Sequence, residues 1–97
     1  MPAYVIVDVE VTDPDQYEAY KKLTPASLVA YGGKFIVRGG QVETLEGGWN
    51  PGRIVVLEFP SYDDARRWYD SKEYVQARAV RRDAAQARII VADGFPG

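Results

Sequence analysis

Four charged residues lie inside apolar runs at strand-like spacing and are the first candidates for chemistry: Asp8, Arg38, Glu58 and Arg88. Successive side chains of a strand point to opposite faces. By that parity Asp8 joins Ile6 against Val5, Val7 and Val9, and Arg38 joins Ile36 against Phe35 and Val37. Glu58 joins Ile54 and Val56 against Val55, Leu57 and Phe59, while Arg88 joins Ile90 against Ile89 and Val91. Two acids and two bases on one half-apolar face admit two readings. In the first they build a polar pocket in which Arg38 stabilises a carboxylate or enolate. Asp8 or Glu58 then acts as acid or base, provided desolvation raises its pKa, and Tyr31 donates a hydrogen bond. In the second they form ion pairs that satisfy one another, since a buried charge is costly without a partner.

A second set is aromatic. Tyr31, Trp49, Trp68, Tyr69 and Tyr74 could line a pocket for a flat ligand, with Arg88 as a further polar contact. Trp68 is better explained by core packing, because it stands at helical spacing from Ala65. Trp49 sits among Gly, Asn and Pro in a loop with no core of its own, where it could cover a pocket mouth or reach a partner subunit. The Gly39-Gly40 and Gly47-Gly48 pairs precede no helix and lack the Lys-Ser/Thr of a phosphate loop, so they read as turns or a bulge.

The composition removes much chemistry. There is no Cys and no His, which excludes thiolate nucleophiles, disulfides, Cys-based metal sites, an imidazole base and a Ser-His-Asp triad. Asp63, Asp64 and Asp83 have no metal-ligand spacing and are explained by helix ends and surface. No metal and no cofactor is therefore expected. Twelve basic and fourteen acidic side chains leave a net charge of -2, so no positive field draws in nucleic acid. No apolar run spans a bilayer, and the chain enters a strand without a signal-like segment; a soluble cytoplasmic protein is expected.

The elements that must position these residues follow from local signals. At 97 residues the chain is one domain, 1–97. A strand over about 3–11 leads to Thr12-Asp13-Pro14-Asp15-Gln16, where Asp13 caps a helix and Pro14 occupies its first position. Tyr17, Tyr20 and Leu23 mark the inner face, and Pro25 predicts a break near Thr24 before a shorter piece reaching Tyr31. A strand over about 34–38 follows and resumes through Val42 and Leu45 after the glycine pair. The loop of residues 46–52 leads to a strand over about 53–59. Ser61 caps a helix, Ser71 restarts it to about Ala85, and a last strand covers about 87–92. The order βαββαβ is that of a ferredoxin-like α+β sandwich, with helices on the purely apolar face of an antiparallel sheet. The other face keeps Ile6, Ile36, Ile54 and Ile90 exposed, which predicts a homodimer packed sheet to sheet.

Several blocks occur in register: Tyr31-Gly32-Gly33, Arg38-Gly39-Gly40, Leu45-Glu46-Gly47, Val56-Leu57-Glu58-Phe59-Pro60-Ser61 and Trp68-Tyr69-Asp70-Ser71. With Ala3-Tyr4-Val5-Ile6-Val7 and Asp13-Pro14, they make the chain resemble the family called domain of unknown function 1330 over nearly its whole length. The resemblance implies a dimeric α/β-barrel, a superfamily that includes cofactor-independent monooxygenases, muconolactone-isomerase-like enzymes and stress-related proteins. The expectation is a homodimer that binds a small aromatic or carboxylated metabolite between sheet and helices, with cofactor-independent acid/base or oxygen chemistry. A noncatalytic barrel with a self-satisfied interior is the alternative.

Overall fold

A computed structural model describes residues 1–96. It comprises β1 (Ala3–Val11), α1 (Pro14–Val29), β2 (Lys34–Arg38), β3 (Arg53–Phe59), α2 (Tyr62–Tyr69), α3 (Lys72–Arg81) and β4 (Ala85–Asp93). All pairings are antiparallel and the sheet order is β2-β3-β1-β4, the ferredoxin-like arrangement that the element order predicts. Each helix starts at a side-chain cap: Asp13 accepts from the Gln16 amide, Ser61 from Asp64 and Ser71 from Tyr74.

The helices cover one face of the sheet. Val5, Val9, Val55, Leu57 and Phe59 are buried there, beneath Leu28, Ala65, Trp68, Tyr74 and Ala77. Trp68 anchors this layer. Its ring centre lies 4.0 Å from that of Tyr74 and 5.3 Å from that of Phe59, and its indole donates to Ser27 Oγ at 3.0 Å.

Two local departures from the sequence-based expectations reposition the chemistry. First, α1 does not break at Pro25. Proline supplies no N–H, so the carbonyl of Lys21, four residues earlier, loses its intrahelical donor. The Arg38 guanidinium donates to that oxygen at 3.1 Å and replaces the missing bond. The inner face of α1 is then Tyr17, Tyr20, Thr24, Ser27 and Leu28, while Leu23 is 45% exposed.

Second, β2 carries a bulge. Phe35 pairs with Leu57, but Val37 pairs with Val56 and Arg38 with Val55, so Ile36 is the extra residue. A one-residue slip exchanges faces. Arg38 therefore stands on the helix-covered side, and not with Asp8, Glu58 and Arg88 as simple alternation predicts. No strand resumes after Gly40; residues 40–52 form an irregular loop.

Candidate functional site

Of the four charges expected on one face, Asp8 and Arg88 pair with each other, Glu58 pairs with Lys34, and Arg38 lies on the other side of the sheet. Asp8 and Arg88 face each other across β1 and β4, with Arg88 Nη2 2.9 Å from Asp8 Oδ2. Lys34 Nζ lies 3.3 Å from Glu58 Oε2 across β2 and β3. Glu58 is level with Tyr4, four residues along β1 from Asp8, a separation of about 13 Å at strand rise. The two carboxylates do not converge.

Asp8 is also not the desolvated base of the first reading. Its side chain is 12% exposed, yet it accepts from the Trp49 indole at 3.0 Å and from the Gly52 amide at 2.9 Å, in addition to Arg88. The Trp49 bond foremost, then Gly52 and Arg88, hold its pKa below the ordinary aspartate value and keep it ionised. Gly52 is required for this close approach, because a Cβ there would strike the Val9 carbonyl. Asp8 thus anchors the 40–52 loop across the open face of the sheet. Trp49 and Arg88 meet Asp8, Ile6 and Ile90 around a shallow concavity there. Tyr31 belongs to neither charged pair; it packs at the edge of the core just after α1.

A different group of residues converges on the helix side, in a cleft reached by Arg38. The cleft lies between the sheet and α1 and α3, and its walls include Tyr17, Tyr20, Phe35, Trp68 and Tyr74. The expected aromatic residues Trp68 and Tyr74 are therefore wall residues as well as core. Its charged members are Lys21, Arg38, Arg53 and Arg81, and no carboxylate lines it. Lys21 is bridged to Glu18 at 2.9 Å, but among the described residues none of the three arginines has a carboxylate within ion-pair distance. Instead they lie by aromatic rings, with Arg38 donating to the Lys21 carbonyl and Arg81 to Tyr74 Oη. Arg38 sits 4.1 Å from the Phe35 ring centre, Arg53 5.6 Å from Tyr17 and Arg81 5.6 Å from Tyr20.

Arg53 is the most demanding of the three. Its Nε is buried and has no hydrogen-bond partner. A donor in that state carries a desolvation penalty that an incoming acceptor removes. Burial raises the pKa of Tyr17 and, more strongly, of Tyr74, so both remain neutral phenols and cannot supply the missing anion. The enclosed space is about 30 Å³, room for about one or two waters, and two of the side chains that line it, Arg38 and Lys21, are exposed and half-buried respectively.

Gly39 holds Arg53 in place. It adopts φ 71° and donates its amide to Ile54 O at 2.9 Å, and an added Cβ would come within 2.7 Å of Arg53 Nε. Gly39→Ala is expected to lower stability by about 1–2 kcal/mol through the left-handed backbone and to shift the Arg53 Nε–Hε resonance. Thermal melting and nitrogen-15 NMR check both effects; an unmoved Arg53 resonance would contradict the close approach.

Arg53 has a readable signal in the sequence: it shares strand parity with Val55, Leu57 and Phe59 and so faces the helices. Arg81 likewise follows Tyr74 by seven residues on one face of α3. Among the described residues there is no group of three or more candidate metal-ligating side chains.

An antiparallel four-stranded sheet, helices on one face only and a cationic cleft beneath them define an α+β protein of the ferredoxin-like class. A family model described as domain of unknown function (DUF1330) matches residues 2–95, and the chain belongs to that family. No curated protein matches it. Among solved structures it is similar to a protein of unknown function from Rhodopseudomonas palustris, at 21% identity over 99% of this chain and 84% of that one, with a TM-score of 0.72. It is similar also to a dimeric ferredoxin-like protein of unknown function from Thermobifida fusca (19% identity, 97% and 92% coverage, TM-score 0.65). SnoaB, a cofactor-independent oxygenase from Streptomyces nogalater, matches at 14% identity, 99% and 95% coverage and a TM-score of 0.63. At these identities the likenesses establish the fold. No helix of the chain is long and apolar enough to cross a membrane among the described residues.

Proposed function

We propose that the protein is a homodimer whose subunits each bind a small carboxylated ligand with an aromatic body in the helix-side cleft. The observation that carries this reading is the convergence of Arg38, Arg53 and Arg81 on one cleft without a carboxylate, with Arg53 Nε buried and unpartnered. Uncompensated charge at a low-dielectric site is stabilised by an anion, and guanidinium groups match a carboxylate fork. Aromatic walls add stacking area. Should turnover follow binding, Arg38 and Arg53 are the groups that would stabilise an enolate or carboxylate charge, a role consistent with the fold shared with a cofactor-independent oxygenase. Titration calorimetry with benzoate, at constant ionic strength, tests the reading. Saturable binding supports it; heats no different from those with toluenesulfonamide, a neutral ring of similar size, would return the protein to a barrel whose interior is filled by its own side chains.

The dimer rests on the open face. Ile90 is 60% exposed there and Ile36 47%, beside Val37 and Trp49, and exposed apolar area of that kind favours a partner. The dimeric state of the Thermobifida fusca relative supports a second copy as the occupant. Ile90→Glu places a charge on that face, on the edge strand β4 level with Ile6. It is expected to convert dimer to monomer in light-scattering measurements at micromolar concentration, while the circular dichroism stays that of a folded α+β domain. A variant that keeps the dimer mass would contradict sheet-to-sheet packing.

A further inference from the structure

We propose that the ligand carries two oxygen functions on a flat body: a carboxylate held by Arg38 and Arg53, and a second, acceptor-only oxygen met by Tyr20, Tyr74 and Arg81. This rests on the cleft being the binding site. The argument is a count of donors. Tyr20 Oη and Tyr74 Oη are 2.9 Å apart, and Arg81 Nη1 donates to Tyr74 Oη at 3.3 Å. A phenol has one proton to give. One of the two protons is spent on the bond between the hydroxyls, and the other has no protein acceptor among the described residues. Arg81 also has no carboxylate at ion-pair distance. This end of the cleft is therefore made of donors, and Tyr74, kept neutral by burial and by its neighbour Tyr20, does not become the acceptor itself.

The two ends are linked by a pair of rings. Arg53 lies 5.6 Å from the Tyr17 ring centre, Tyr17 and Tyr20 are 5.4 Å apart, and Arg81 lies 5.6 Å from Tyr20. A ligand lying along these rings meets an arginine at each end. The chemistry that satisfies both is an aromatic or enolic acid with a carboxylate at one end and a carbonyl, phenolate or second carboxylate at the other. A body ending in an ammonium or a methyl group leaves the phenolic proton without an acceptor.

The test compares three ligands by calorimetry: benzoate, 4-methylbenzoate and benzene-1,4-dicarboxylate. The two substituted rings are of similar size, and only the dicarboxylate offers the second acceptor. The wild-type protein is expected to bind the dicarboxylate about 10-fold or more tighter than 4-methylbenzoate, the worth of one charge-assisted hydrogen bond. Tyr20→Phe combined with Tyr74→Phe is expected to cut the advantage of the dicarboxylate over 4-methylbenzoate to about 3-fold or less, because both hydroxyl donors of the distal end are gone. If the double variant does not fold, Arg81→Met removes the cation of the same end and is expected to show the same loss of the dicarboxylate's advantage over 4-methylbenzoate. Equal wild-type affinity for the dicarboxylate and 4-methylbenzoate, or an advantage that survives these substitutions, overturns the two-ended ligand alone. Failure of all three acids to bind overturns it together with the cleft as binding site.

Discussion

Replacing Arg53 by methionine is expected to weaken benzoate binding about 10- to 100-fold without weakening the fold. Methionine keeps an unbranched stem against Tyr17 and Val9 while removing the guanidinium. The lost interaction is a charge-assisted hydrogen bond to a carboxylate, about 1.5–3 kcal/mol, which sets the size of the effect. Stability should move the other way. The free protein buries Arg53 Nε without an acceptor, so the variant loses an unmet donor and melts at or above the wild-type temperature. Arg53→Lys is expected to restore little affinity, because an ammonium cannot reproduce the planar fork. Calorimetry and thermal melting on the same preparations check both halves. A variant that binds normally but melts low would make Arg53 a structural residue.

The largest expected effect on stability lies at Trp68. The ring is 1% exposed and packs on Phe59, Tyr69 and Tyr74, with its indole on Ser27. Trp68→Ala is expected to cost about 3–5 kcal/mol, which lowers the melting temperature by at least about 12 °C in a domain of this size. Trp68→Phe retains most of the ring packing and loses mainly the bond to Ser27, for about 1 kcal/mol. The comparison separates the two roles of the residue: as a cleft wall it is replaceable by Phe, and as a core anchor it is not replaceable by Ala. Guanidinium unfolding of the two variants measures the difference, and equal costs would contradict the cavity argument.

Alternation along strands was sufficient to place Asp8, Glu58 and Arg88 on the open face and the Val5, Val7, Val9 set beneath the helices, because β1, β3 and β4 are regular. Caps at Asp13, Ser61 and Ser71 are legible because each side chain acts on an amide only three residues away. Arg38 was misplaced because one extra residue at Ile36 reverses parity, and β-branched residues at 36 and 37 suit a regular strand as well as a bulge. Pro25 predicts a break because its lost hydrogen bond is local, whereas the replacement comes from Arg38 on a strand that only tertiary folding brings near. The charged quartet looked like a site because parity reports a shared face and says nothing of separation along it. Arg53 carried its signal in its parity, but at the edge of an apolar run it reads as a strand boundary. The partners of Trp49 were beyond reach of spacing, as the indole bonds to Asp8 forty-one residues earlier.

The most direct measurement is the response of arginine side-chain resonances to a carboxylate. Nitrogen-15 NMR resolves each Nε–Hε pair, and conservative substitution to lysine assigns Arg38, Arg53, Arg81 and Arg88. Titration with benzoate is expected to move the Arg53 resonance saturably, with Arg38 following, while Arg88 and the Trp49 indole on the open face stay still. Saturable shifts of Arg88 and Trp49 with Arg53 unmoved would place the ligand on the opposite side of the sheet and contradict the cleft as the binding site.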